Sequence, residues 1–273
     1  MDETMQVVPG YEGLLTANGL RNLDAVFQWN QGQRMDKPGL EPWRQRWRII
    51  MSEGRGREHT FYLKRFQNPP WRRQLARWLN GYWTSSTAGI EWHNSRQLSA
   101  AGLASVQAIA FGQRMKGPTE ECSFILLDQV PGESLERWVP ANLSPADRES
   151  NLQQRRHLLD KLACFVADFH RAGFVHRDLY LSHIFIFYSG KPADEIFRLI
   201  DLQRVFRPQI RRRRWVVKDL AALNFSTPTE LVGKWERLRF LCRYVRQCSG
   251  FGSAGKLAGL IEAKTKQIAR HNK

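Results

Sequence analysis

The stretch of this chain best equipped for chemistry is Val175-His176-Arg177-Asp178-Leu179-Tyr180-Leu181-Ser182-His183-Ile184-Phe185. In the pattern H-R-D-L-x-x-x-N, the Asp accepts the proton of an attacking hydroxyl and the Asn holds a metal ion. Asp178 is therefore a candidate base, and His183 stands where the Asn is expected. Phosphoryl transfer also needs a cation on the phosphates and a metal ligand. Lys64, in Phe61-Tyr62-Leu63-Lys64, is the candidate cation for the α- and β-phosphates. Glu91 follows it and could pair with it. Asp201, after the apolar Leu199-Ile200, is the candidate Mg²⁺ ligand. Each residue alone has an ordinary explanation: a strand-edge lysine, a helical glutamate, a turn-capping aspartate. Their order along the chain, each in a suitable element, carries the reading.

Those residues need elements to hold them. Residues 1–20 read as a loosely held lead-in. Three candidate strands follow: Leu23–Asn30, Trp43–Met51 and His59–Phe66. They are separated by a Gly/Pro-bearing connection (Gly32, Pro38, Gly39) and by the turn signal Glu53-Gly54-Arg55-Gly56. After Pro69-Pro70, the spacing of Trp71, Leu75, Trp78, Leu79 and Tyr82 predicts a helix over Trp71–Trp83. Arg72, Arg73 and Arg77 interleave with them, the pattern of an interfacial helix. A second helix runs from a cap at Ser85 or Ser86 to about Ala101. Strands near Ser105–Gly112 and Cys122–Val130 lead to a hinge-like Pro131-Gly132. Beyond it the chain turns mainly helical. An apolar stripe from Leu152 to Phe169 precedes the Asp178 loop. A short strand pair is expected at Phe185–Tyr188 and Phe197–Ile200, around Ser189-Gly190-Lys191-Pro192. Helices are expected at Asp219–Phe225, Glu230–Gln247 and Ala254–Arg270. This is an α+β order: a lead-in (1–20), a sheet-and-helix domain (21–128) and a helical domain (129–273).

The bulk numbers bound the function. With 273 residues and 42% hydrophobic content, the chain can bury a sizeable core. It has no apolar run of about 18 residues or more, so no membrane span is expected. Met1 to Gly10 lacks the apolar core of a secretory leader. The four cysteines show no metal spacing, and reduced thiols in a cytoplasmic protein are expected. Lys and Arg number 42 against 26 Asp and Glu, a net charge of +16. Such a field favours anionic partners. Ten tryptophans, many beside arginine, make that surface amphipathic as well as basic. Arg211, Arg212, Arg213 and Arg214, between Asp201 and the next helix, are candidates for binding an anionic substrate through their guanidinium groups.

The chain resembles the protein-kinase-like fold. Within it, it is similar to the lipopolysaccharide core kinase family, which phosphorylates Kdo or heptose sugars of the inner core. The resemblance rests on His176 to Phe185, on Leu199-Ile200-Asp201-Leu202-Gln203-Arg204, and on Lys218-Asp219-Leu220-Ala221-Ala222-Leu223-Asn224-Phe225-Ser226. It spans roughly Phe61 to Ser226. It implies a two-lobed fold, with a small antiparallel-sheet lobe and a larger helical lobe, and ATP and Mg²⁺ as cofactors. By this resemblance Asp178 is the base and Asp201 the main metal ligand, and Lys64 and Glu91 form the phosphate-positioning pair. Asp128, Gln129 and Val130 form the hinge that faces adenine, and Asp219 braces the catalytic loop through backbone hydrogen bonds. The implied partner is the lipopolysaccharide core or its lipid-linked precursor, at the inner face of the cytoplasmic membrane. No nucleic-acid partner is expected.

The departures are as informative as the matches. No G-x-G-x-x-G loop is present, and Gln31-Gly32-Gln33 with Gly39 is a poor substitute. The metal segment reads Asp-Leu-Gln, no Ala-Pro-Glu follows, and the span from Asp201 to Asp219 is short. These features argue against a protein substrate docked on a regulated loop. Mg²⁺ prefers oxygen ligands and imidazole suits softer metals. His183 thus implies either one firmly held Mg²⁺, with the imidazole on phosphate or metal-bound water, or tolerance of Mn²⁺. Two alternatives compete. A soluble small-molecule kinase, such as one acting on cationic aminoglycosides, fits poorly with the basic Trp-rich helix. An inactive kinase-fold binding module fits poorly with retention of Lys64, Asp178 and Asp201.

Overall fold

The computed structural model describes residues 2–35, 39, 41–53, 56–144, 152–188, 196–248 and 250–271. Packing divides the chain into two units: Met1–Ala100 with Val106–Gln129, and Ala101–Ser105 with Val130–Lys273.

The first unit contains β1 (Asp2–Val7), α1 (Glu12–Ala17), α2 (Leu23–Gln28), β2 (Gln33–Arg34), β3 (Arg44–Glu53) and β4 (Arg57–Gln67). It continues with α3 (Trp71–Leu79), α4 (Thr87–Ala100), β5 (Ala108–Lys116) and β6 (Thr119–Asp128). The strands form one antiparallel sheet in the order β1-β5-β6-β4-β3-β2. The period-two alternation of β4 places what matters. Phe61 and Leu63 enter the core with Leu14, Leu15, Leu23 and Val26 of the two N-terminal helices. Lys64 points to the opposite face, on which α4 packs.

Two expectations fail here. The stretch Leu23–Asn30 is helical, not a strand, because the Asn22 side chain accepts the Ala25 N–H at 2.8 Å and caps α2. Leu23 and Val26, one turn apart, are then buried together. The lead-in 1–20 is also not loosely held. β1 pairs along β5 from Asp2↔Met115 to Val7↔Ala110, and α1 buries Leu14 and Leu15. Residues 36–38, 54–55 and the turn 189–192 lie outside the described residues.

Helix α3 is inverted relative to an ordinary surface helix. It buries Gln74 and Arg77 and exposes Trp71 (69%), Leu75 and Leu79 (78%). The sequence assigns Arg77 to the charged outer face. In the structure it is a buried strut, donating to the carbonyls of Tyr82 (2.6 Å), Ser85 (2.9 Å) and Pro118 and to Gln74 Oε1 (2.8 Å). The helix ends at Leu79, short of Trp83. Asn80 closes it and Gly81 turns the chain at φ +81. Trp83 then folds back to stack on Trp78, with ring centroids 6.1 Å apart and planes 3° apart.

The second unit contains β7 (Glu133–Ser134), α5 (Leu135–Asn142), α6 (Leu152–Arg171), β8 (Ile184–Phe187), β9 (Ile196–Leu199), α7 (Arg212–Ser226), α8 (Lys234–Gln247) and α9 (Ala254–His271). β7, β8 and β9 form a small antiparallel sheet. Gly132 turns the chain into it at φ +84, where a Cβ would lie 2.0 Å from the Ile186 carbonyl oxygen; only glycine fits that approach. Helix α6 packs on α8, and α7 on α9. Helix α7 begins seven residues earlier than expected. It therefore carries Arg212, Arg213 and Arg214 on its first turn rather than in a loop.

Candidate active site

The Asp178 loop is built on a buried carboxylate. Asp219, in α7, is fully buried and accepts the backbone N–H groups of His176 (2.6 Å) and Arg177 (2.7 Å). His170 Nε2 approaches the same carboxyl at 3.3 Å, and its Nδ1 meets the buried Tyr244 hydroxyl at 2.9 Å. The loop is then clasped at both ends. Val175 and Phe206 exchange backbone hydrogen bonds at 3.0 and 3.1 Å, and Ile200 N–H donates to the His183 carbonyl at 3.0 Å. The segment carrying Asp201 is thus tied to the segment carrying Asp178.

His176 is fully buried, and burial is the first cause of its lowered pKa, so the ring stays neutral. Its Nε2 pairs with the Ile200 carbonyl oxygen at 3.0 Å, and its ring stacks on His183 at 5.7 Å. His183 Nδ1 lies 2.7 Å from the Asp178 carbonyl oxygen. A carbonyl only accepts, so Nδ1 carries a proton, and Nε2 is the ring nitrogen left free to meet another group. Nε2 faces Asp201, 3.8 Å from its Oδ2. A hydrogen bond from the far ring nitrogen to a carbonyl is the usual support of a metal-binding histidine. Asp201 itself is left-handed, with φ +56 and ψ +59.

The Asp178 carboxylate meets Arg204, whose Nη1 lies 2.9 Å from Oδ1 and 2.7 Å from Oδ2. Arg204 stands in the quoted metal segment, but nothing in its sequence position says that it turns toward Asp178. The left-handed Asp201 three residues earlier makes that reach possible. Burial first, then the Asp178 charge, pushes the Tyr180 phenol up, which keeps it neutral beside the carboxylate.

In the first unit, Lys64 Nζ lies 2.7 Å from Glu91 Oε1 and 3.1 Å from Oε2. Glu91 is fully buried, whereas the Lys64 side chain keeps 13% of its surface open. A charge buried this completely persists only when paired. Asp128 closes β6, where its N–H donates to the Gln107 carbonyl (2.8 Å) and its Oδ1 accepts the Gln129 N–H (2.8 Å). Val130 is buried and opens the second unit.

Metal fit is decided by the donor set. The carboxylate of Asp201 and Nε2 of His183 together could supply two ligands to one divalent cation that takes its others from phosphate and water. Among the described residues, no group of three or more His, Cys, Asp or Glu side chains forms a closed protein cage. The pair fits an ion shared with a nucleotide, not a structural metal.

A small antiparallel sheet with a buried Lys–Glu pair, and a helical unit with a braced His-Arg-Asp loop, define the protein-kinase-like class. A family model for the lipopolysaccharide kinase (Kdo/WaaP) family matches residues 44–244, and the chain belongs to that family. The lipopolysaccharide core heptose(I) kinase WaaP of Pseudomonas aeruginosa is 38% identical over 162 residues, 58% of this chain and 59% of that protein. WaaP of Escherichia coli K12 is 34% identical over 147 residues, 51% of this chain and 53% of that protein. The matched stretch thus spans less than two thirds of these relatives. A solved structure, WaaP in complex with acyl carrier protein, has a TM-score of 0.72 at 25% identity and covers 97% of this chain and 99% of that one.

Replacing Asp219 with alanine leaves two buried N–H groups without acceptors. The expected cost is about 3 kcal/mol or more of unfolding free energy, measured by urea denaturation. An unmoved midpoint would show that the loop does not depend on this carboxylate.

Proposed function

We propose that this protein transfers the γ-phosphoryl group of ATP to a sugar hydroxyl, of heptose or Kdo, in the inner core of lipopolysaccharide. The observation that carries the reading is the clasp that brings Asp178, His183 and Asp201 together. Family membership supports the phosphotransfer, and the relatives named as heptose(I) kinases favour heptose over Kdo.

Each residue has a task. Asp178 receives the proton of the acceptor hydroxyl. A carboxylate offers about four lone-pair positions, so the Arg204 contacts orient it and still leave room for that proton. Asp201 and His183 hold the metal ion, which when bound neutralises charge on the phosphates. In the first unit, Lys64 directs its ammonium at the α- and β-phosphates, with Glu91 fixing its position. Asp128, Gln129 and Val130 line the adenine. Asp219 acts through the loop backbone and touches no reactant.

The surface of α3 supports peripheral attachment to the inner face of the cytoplasmic membrane. No helix among the described residues is long and apolar enough to cross a membrane. Trp71, Leu75, Leu79 and Trp83 are exposed beside Arg72 and Arg73, so apolar groups can enter the headgroup boundary while guanidinium groups meet anionic lipid. An acyl carrier protein, the partner in the solved WaaP complex, is a candidate partner, and the charge of +16 suits an acidic one.

Three measurements check this reading. With ATP, Mg²⁺ and core oligosaccharide, the parent adds one phosphate by mass spectrometry. Asp178→Ala should lose at least about a hundredfold in turnover, and equal rates would remove Asp178 as the base. His183→Asn should lower the ratio of Mn²⁺-supported to Mg²⁺-supported turnover, because an amide oxygen replaces an imidazole; an unchanged ratio removes the histidine from the metal. In flotation with phosphatidylglycerol-containing vesicles, the triple change Trp71→Ser, Leu75→Ser and Leu79→Ser should leave most protein in the dense fraction. Flotation equal to the parent's would mean that α3 is not the anchor.

A further inference from the structure

The four arginines 211–214 do not act alike. Arg212 donates to the His170 carbonyl at the end of α6 and serves packing within the second unit. Arg211, Arg213 and Arg214 line a groove of about 880 Å³ with Arg177, Lys218 and Lys264. Six cations face one concavity, and no carboxylate is among its described lining residues. The groove gathers charges of one sign, which repel one another, and a polyanion relieves that repulsion.

The groove has fixed walls as well as charge. The Arg177 guanidinium lies 5.3 Å from the Trp215 ring and 5.7 Å from Phe206, which meet edge to face at 5.2 Å. The Lys218 ammonium lies 6.0 Å from the same Trp215 ring. A stacked guanidinium is pre-organised and loses little freedom on binding an oxyanion. The backbone of Arg177 is held by Asp219. Burial pulls the Lys218 pKa down, Asp178 opposes that pull, and Arg204 and Arg177 add to it. Lys264 comes from α9 and is steadied by Gln267, 2.8 Å away, which lines the groove too.

Size and place narrow the ligand. Small-molecule sites commonly enclose about 300–1,000 Å³, so a single phosphate would leave most of this groove unfilled. Cations spread along it, with one aromatic wall, suit a saccharide bearing more than one phosphate. The groove begins at Arg177, one residue from Asp178, which puts it on the acceptor side.

We propose that this groove binds phosphate groups already present on the acceptor saccharide. The inference rests on the reading of Asp178 as the base for its place on the acceptor side. It follows that an earlier sugar phosphorylation must supply the substrate.

The test is binding to the full chain without ATP or metal, so its failure leaves the phosphotransfer reading standing, and the reverse. The probes are glucose 1,6-bisphosphate and inorganic phosphate, followed by calorimetry. The parent should bind the bisphosphate at least about tenfold more tightly than inorganic phosphate, since two anions reach separate guanidinium groups. The triple variant Arg211→Gln, Arg213→Gln and Lys264→Gln should lose at least about tenfold for the bisphosphate. A charge-matched control, Arg21→Gln, Arg96→Gln and Lys266→Gln, should bind as the parent does. Thermal unfolding verifies that both variants are folded. Equal losses in both variants would reduce the groove to net charge and overturn the proposal. So would a groove variant that binds the bisphosphate normally while losing capture of acyl carrier protein, which would make the groove a protein-docking surface instead.

Discussion

The carboxylate of Asp219 is the constraint on which the second unit depends. It is fully buried, and it receives two successive backbone N–H groups and an imidazole nitrogen. Charge-assisted hydrogen bonds of this kind are about twice as strong as neutral ones, and a buried carboxylate without them would be untenable. The result is that Arg177 is pinned at φ +70, a conformation its side chain would otherwise avoid. Strain of about 1–3 kcal/mol per such residue persists only where the surroundings over-determine it. Asp178 follows directly, so the aim of the candidate base is set by a residue more than forty positions away.

A second strained residue completes the arrangement. Asp201 is left-handed, and this turns its carboxylate toward the His183 imidazole while sending Arg204 to Asp178. The backbone bonds between residues 175 and 206 and between 183 and 200 hold the two segments together. One clasp therefore positions the candidate base, the candidate metal-ligand pair and the arginine paired with that base. The proton on the imidazole Nδ1 is set by the same geometry, because the Asp178 carbonyl can only accept.

Polarity in both units departs from the usual rule at the places proposed to carry function. Glu91 is buried to hold Lys64, and helix α3 buries Arg77 while leaving Trp71 and Leu79 in solvent. The inversion in α3 has a local cause. Arg77 satisfies three carbonyls in the turns around it and the Gln74 side chain of its own helix, so the inner face of the helix goes to hydrogen bonds and only its outer face is left for apolar residues. In the second unit the arginine run divides, with Arg212 turned to α6 and its neighbours to the groove. A run of identical residues in the sequence thus holds two different roles.

Much of the candidate site was legible in the residues. The His-Arg-Asp-Leu segment, the strand carrying Lys64, the Leu-Ile-Asp segment and Asp219 announce their chemistry through type and order, because motif residues are local and phosphoryl transfer needs few kinds of group. The strands β3 and β4 followed from the turn signals around them and helix α4 from its serine cap, all short-range signals. The helix at Leu23–Gln28 was missed although its Asn22 cap was visible, because a short apolar run does not by itself distinguish helix from strand. What only the tertiary structure decided is which distant groups meet: Arg204 with Asp178, Lys264 with the arginines of α7, Arg77 with the turn carbonyls around it. The first of those meetings depends on backbone conformations at Arg177 and Asp201 that are unfavourable locally and are enforced by contacts far along the chain. No local pattern records that energy, so the sequence by itself determined the chemistry available to this protein, and the fold determined where it is aimed.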